Sequence, residues 1–295
     1  MVAGPNFGVA CALASALTWT LIGLVGRALA PYFSALAINL IRSTLGAAML
    51  APVLVARGGW APLSRVSAED WLYLALSVVT AFALGDTAFF ASARAIGLGR
   101  AMTVSMIHPL IAGTLGVALL GEQVTAAVAA GAVVTLGGLV LIVSERAPVL
   151  PEATASRVEG VGLALVAAAA WGVSPVLMKP ALRDVDPVSI QAVRLPLAAL
   201  VLWATPWARG TGQRIRLHLR AAGALLLALG FLTALSAVTF VAALKYAGVT
   251  LTAVLSATSP LFALPIGLLA FGERVTWQAV VGASLCLLGI ALLSL

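Results

Sequence analysis

Along this chain, apolar runs of about 20 residues follow one another with only short interruptions of Gly, Pro or charge. A run of that length, coiled as a helix, crosses the hydrocarbon core of a bilayer. Lone loops and open sheets cannot, because each backbone N–H and C=O at that depth must be satisfied within the protein. The runs are also too long and too uniformly apolar for the alternating strands of a membrane barrel. Ten can be counted, at approximately 7–29, 34–56, 70–92, 100–120, 124–144, 160–182, 187–207, 221–245, 249–270 and 276–295. Composition agrees: 9% of residues are charged and mean hydropathy is +1.12, against roughly 25% charged in soluble domains. An all-α integral membrane protein with ten transmembrane helices is expected. Its first run, from Phe7 to about Ala28, reads as a spanning helix rather than a signal peptide, since no basic residue precedes it.

The runs are written twice. Ser105 to Thr125 (SMIHPLIAGTLGVALLGEQVT) returns as Ser256 to Thr276 (SATSPLFALPIGLLAFGERVT), with Ser105/Ser256, Pro109/Pro260, Gly116/Gly267, Gly121/Gly272, Glu122/Glu273 and Thr125/Thr276 in register at an offset of 151. An offset of 152 pairs Gly8 with Gly160, Trp19 with Trp171, Arg27 with Lys179, Asn39 with Gln191 and Arg42 with Arg194. The shorter offset resumes with Arg94/Lys245, Gly97/Gly248, Gly131/Gly282 and Gly138/Gly289. The repeat is thus half the chain: residues 1–146 form the first unit, 147–158 a linker and 159–295 the second. Five crossings is an odd number, so the second unit begins on the opposite face of the membrane and the two are inverted repeats. Secondary transporters share this arrangement, with the substrate site near the bilayer midplane between the repeats.

The 17 basic residues against 10 acidic ones sit mostly in short linkers, as expected of juxtamembrane charge, and no groove-reading motif points to nucleic acid. Cys11 and Cys286 lie inside apolar runs and suggest neither a disulfide nor a metal site. No H-E-x-x-H, G-x-S-x-G or phosphate loop occurs, so neither an intramembrane enzyme nor an ATP-driven pump is expected, and no cofactor is implied.

The motif set resembles the EamA-type branch of the drug/metabolite transporter superfamily. The residues that carry the resemblance are Trp19, Arg27, Arg42, Ala93/Arg94, Ser105/Pro109 and Gly121/Glu122/Thr125, then Trp171/Gly172, Lys179, Arg194, Ala243/Lys245, Ser256/Pro260 and Gly272/Glu273/Thr276. It covers essentially the whole chain and implies a ten-helix, multi-pass carrier of the inner (plasma) membrane that exports amino acids, related metabolites or drugs, as a monomer or homodimer in lipid. Thr20 departs from the pattern, which carries Gly there as the second copy does at Gly172. The resemblance implies cytoplasmic termini, whereas the positive-inside rule would draw the loop holding Arg209, Arg214, Arg216 and Arg220 inside.

Candidate substrate-binding residues are polar or aromatic groups well inside apolar runs. Asn39 and Arg42 are three apart, as are Gln191 and Arg194, so each pair shares a helix face. A buried guanidinium costs about 2.5–3.5 kcal/mol on insertion scales, so each Arg faces a partner, a cavity or the headgroups; the plainer alternative is a structural clamp on helix-end carbonyls. Asp86, aligned with Ala237, and His108, aligned with Ser259, break the repeat symmetry and are the candidates for coupling transport to protons, against an ion-paired carboxylate and a packed histidine. Trp19 and Trp171, away from the interfaces, could line a cavity or pack the core. Ser105, Ser174, Ser236, Thr239 and Ser256 could hydrogen-bond substrate or simply their own helices' carbonyls. Glu122 and Glu273 are expected to cap the fifth and tenth helices. Kinks are expected at Pro109 and at Pro260 with Pro265. The glycines at 131, 138, 282 and 289 suit tight packing of helices five and ten, or a dimer surface. The function expected is a secondary transporter working by alternating access; the alternative is a channel-like passive facilitator for small solutes.

Overall fold

The computed structural model describes residues 4–58, 60–64, 66–96, 98–145, 154–271 and 276–293. No strand occurs among them. α1 is Pro5–Leu29 and α2 is Ala35–Ala56. α3 is three joined pieces: Ala68–Val78, a π-helical Val79–Asp86, and Thr87–Ile96. α4 is broken into Leu98–Ser105 and His108–Leu120. α5 is Ala126–Glu145, α6 Thr154–Met178 and α7 Pro187–Trp203. One helical stretch, Thr211–Ser256, holds α8 (211–247) and the start of α9, divided at Gly248, where φ 86° and ψ 175° are not helical. α9 then continues as Ser259–Phe271, and α10 is Trp277–Leu293. Among the described residues five stretches are long and apolar enough to cross a membrane unaided, one of them Thr211–Ser256 running through α8 into α9, and four shorter apolar helices accompany them.

Local chemistry explains most boundaries. Ser34, Ser67 and Asp186 stand in extended backbone before α2, α3 and α7 and accept hydrogen bonds from the first-turn N–H groups. Gly121 ends α4 in the left-handed conformation at φ 66°. Two boundaries lie earlier than the apolar runs suggest: α6 starts at Thr154 and α8 at Thr211, because each helix carries its polar first turns beyond the apolar part. α4 breaks just before His108–Pro109 and α9 just before Ser259–Pro260, placing each proline in the first turn of a new helical piece, where its missing N–H is not needed. Pro265 stays inside the second piece of α9.

The repeats interlace rather than lie side by side. The first helix of each packs along the third helix of the other: α1 along α8, and α6 along α3. Equivalent glycines make both contacts. A Cβ on Gly8 would fall 2.5 Å from the Ala247 nitrogen, and one on Gly160 would collide with the Ile96 side chain. α2 and α7 pack together in the middle, where the Trp203 indole donates to Thr44 Oγ1 at 3.1 Å. α5 and α10 form a separate seam, as their glycines suggest. A Cβ on Gly138 would lie 2.5 Å from the Gly282 carbonyl oxygen, and one on Gly131 2.8 Å from that of Gly289. The four glycines face one another within the chain, so the seam that could have been a dimer surface is occupied.

The capping expected of Glu122 is corrected. It does not serve α5; it crosses to the Gly248 break, where it accepts from the Val249 N–H at 2.5 Å, the Thr250 N–H at 3.0 Å and the Thr250 hydroxyl at 2.9 Å. The dipole argument holds, but the helix N-terminus it satisfies is that of α9. Lys179, at the end of α6, donates to the Leu244 and Lys245 carbonyls on the other side of the break. A carboxylate and an ammonium therefore clamp the two ends of a broken helix. A shallow cavity of about 190 Å³ lies beside it, lined by Glu122, Val128, Ala247 and Thr250 among others. The matching Gly272 and Glu273 lie outside the described residues.

Candidate functional site

Where α2, α3, α6 and α7 meet, polar side chains replace the apolar core. Asp86 is the centre of the first group and is 7% exposed. Asn39 Nδ2 donates to its Oδ2 at 2.9 Å, Arg42 Nη2 to the same oxygen at 3.3 Å, and Trp171 Nε1 to Oδ1 at 3.0 Å. Arg42 Nε also donates to Asn39 Oδ1 at 2.6 Å, so the i, i+3 pair on α2 acts as one unit. The Arg42 guanidinium lies 4.7 Å from the centre of the Trp19 ring. Trp19 itself is 44% exposed, which excludes simple core packing for it.

Two features of α3 bring Asp86 to this position. The π-helical stretch ends on Asp86, and such wide turns reorient side chains relative to an α-helical register. Just before it, Ser77 O accepts from Thr80 Oγ1 at 3.2 Å and from Ser174 Oγ at 2.8 Å. Gly85 supplies the second feature. A Cβ there would lie 2.6 Å from Trp171 Cδ1 and 2.7 Å from Nε1, so the bare glycine lets the indole lie against the helix and reach the carboxylate.

Arg194 is the centre of the second group and is 4% exposed. Its Nε donates to Ser77 Oγ at 3.1 Å, Nη1 to Gln191 Oε1 at 3.3 Å and Nη2 to Ser174 Oγ at 3.5 Å. Gln191 Nε2 donates to the Ala237 carbonyl at 3.0 Å. The two groups share α3 and α6: Trp171 and Ser174 are three apart on α6, while on α3 Asp86 ends the π-helical stretch and Ser77 lies just before it. Neither Arg snorkels.

The remaining candidates fall around or away from this core. His108 packs edge-on to Trp171 at 6.0 Å, and so touches the same indole that donates to Asp86. Its Nδ1 is 3.0 Å from the Ser105 carbonyl, which only accepts, so Nδ1 carries the hydrogen. Ser105 Oγ bonds the Ala101 carbonyl of its own helix, whereas Ser256 Oγ has no partner among the described residues. Ser236 is drawn into the α1–α8 seam with Ser15, and Thr239 bonds the Leu235 carbonyl one turn back. Thr20 Oγ1 donates to the Ser259 carbonyl at 2.8 Å. Its counterpart Gly172 leaves space for Ile111 and the His108 carbonyl, so the substitution changes the fit of α1 on α9 relative to α6 on α4. Ser77, Gly85 and Ser15 escaped the sequence reading. Only Gly85, adjoining the lone buried Asp, carried a local signal.

The profile of the EamA-like transporter family matches residues 6–144 and 158–295, once for each five-helix unit. The chain belongs to the EamA-like transporter family. An "Uncharacterized transporter" of Archaeoglobus fulgidus is 26% identical over 284 residues, covering 96% of each chain. A crystal structure that carries no functional description superposes with a TM-score of 0.78 at 20% identity, covering 97% of this chain and 94% of that one, which shows a shared fold. As an EamA-like transporter, the chain is a multi-pass membrane protein built of two such repeats, and its buried polar core lies between them.

Proposed function

We propose that this transporter is a secondary carrier that exports amino acids, related small metabolites or drugs across the plasma membrane by alternating access, with Asp86 carrying the coupling proton. The single observation behind this reading is the Asp86 group. An ionised pair buried within the first repeat, and tied by the Trp171 indole to the first helix of the second, is expensive to keep in a membrane-embedded bundle unless transport uses it. Protonating Asp86 would remove the charge that holds Arg42 and weaken the contacts from Asn39 and Trp171 with it. One titration thereby loosens a contact between the first repeat and α6 of the second. His108, packed edge-on against the Trp171 ring, is the second proton-carrying candidate.

The test is uptake of radiolabelled amino acids into proteoliposomes, with and without a pH gradient. Saturable uptake that the gradient drives above equilibrium is expected. Uptake that rises linearly with concentration would instead favour a passive facilitator. Asp86→Asn should abolish gradient-driven accumulation while exchange of labelled for unlabelled substrate continues. Accumulation equal to that of the unsubstituted protein would remove Asp86 from the coupling role.

A further inference from the structure

The inverted repeat allows a comparison that neither half permits alone. In the first half, the amide of Asn39 and the guanidinium of Arg42 grip a carboxylate on the third helix, Asp86, and an indole N–H from the other half's first helix completes the set. The equivalent residues of the second half are Gln191, Arg194, Ala237 and Trp19. Three of the four types are kept or nearly kept, and the acid has become a methyl group. Gln191 still points its Nε2 at the residue equivalent to Asp86, but it meets the Ala237 backbone carbonyl instead of a carboxylate.

Arg194 is left with neutral partners only: Ser77, Gln191 and Ser174. These use three of the five N–H groups that a guanidinium offers. No carboxylate pairs with it among the described residues, although it is among the most deeply buried cations of the chain. The Trp19 indole N–H, the counterpart of the one that binds Asp86, likewise has no acceptor among the described residues. Of the two buried guanidiniums, only that of Arg42 has an acidic partner, and the polar core is one negative charge short. A buried ion without a counter-charge is costly, and a ligand that supplies one recovers that cost on binding.

We infer that the substrate presents a carboxylate, which Arg194 and Gln191 receive beside Ala237 in the role that Asp86 plays for Arg42 and Asn39. This rests on the carrier reading above and narrows it to solutes bearing a carboxylate, free amino acids and simple organic acids alike. Amines and neutral drugs without an acid group fall outside it.

A double-mutant cycle tests the inference before any substrate is identified. In purified protein with no ligand added, Ala237→Asp should give Arg194 an internal counter-ion and raise the melting temperature by about 2–4 °C. In an Arg194→Gln background the same change should lower it, and Ala237→Asn should give no rise in either. The same shift from Ala237→Asp in both backgrounds would overturn the inference. A second reading uses thermal shift with each protein amino acid beside its α-carboxamide. The acids should stabilise the unsubstituted protein but not Arg194→Gln, and the carboxamides neither; equal stabilisation by acid and carboxamide would also overturn it. The two failures are separable: linear uptake with the Arg194 coupling intact sinks the carrier reading, whereas saturable uptake with no coupling sinks the carboxylate site alone.

Discussion

Gly85 shows how one missing methyl group can set up a polar core. The Trp171 indole occupies the space that its Cβ would take, and from there reaches Asp86. Gly85→Ala is expected to force the ring away, with an overpacking cost of about 1–3 kcal/mol. The measurement is a thermal melt together with intrinsic fluorescence, which should report a Trp171 environment shifted in the same direction as in Asp86→Asn. Unchanged melting and emission would show that the ring does not depend on Gly85. At this scale much of the core was legible from the residues. The i, i+3 spacing put Asn39 with Arg42 and Gln191 with Arg194, and the comparison of repeats singled out Asp86. Its partners were not legible, because Trp171 arrives from a helix 85 positions away. Ser77 was hidden for another reason: a serine in an apolar helix commonly bonds a carbonyl one turn back, as its Oγ does to Leu74 while also accepting from Arg194.

Among the helices, the broken α8–α9 junction matters most. Gly248 at φ 86° separates two helix ends, and Glu122 and Lys179 each take one of them. Glu122→Gln gives up the charge and one oxygen acceptor, and should cost about 1–2 kcal/mol in a denaturation series. It should also speed hydrogen exchange at the Val249 and Thr250 amides; exchange unchanged at both would contradict the clamp. A periodicity argument finds that a carboxylate follows Gly121 and precedes a helix, and so assigns it to the nearest helix start. The helix it serves is 127 positions further along the chain, a distance that local sequence rules do not cover. The π-helical stretch of α3 was illegible for a related reason. No spacing of residue types announces such a stretch, and the Ser174 hydroxyl that meets the Ser77 carbonyl just before it comes from 97 positions along the chain.

For the whole molecule, the decisive arithmetic was elementary: ten apolar runs, duplicated as five and five, give inverted repeats, and the fold has them. What counting runs could not supply was the interlacing, in which α1 lies on α8 and α6 on α3, so that the two halves share a polar core. That core is what alternating access would expose to one face and then the other. Trans-stimulation tests this most directly. Proteoliposomes preloaded with an unlabelled solute that the protein transports should take up the labelled form faster than unloaded vesicles do. Uptake indifferent to preloading, and proportional to external concentration throughout, would contradict a carrier and describe a pore.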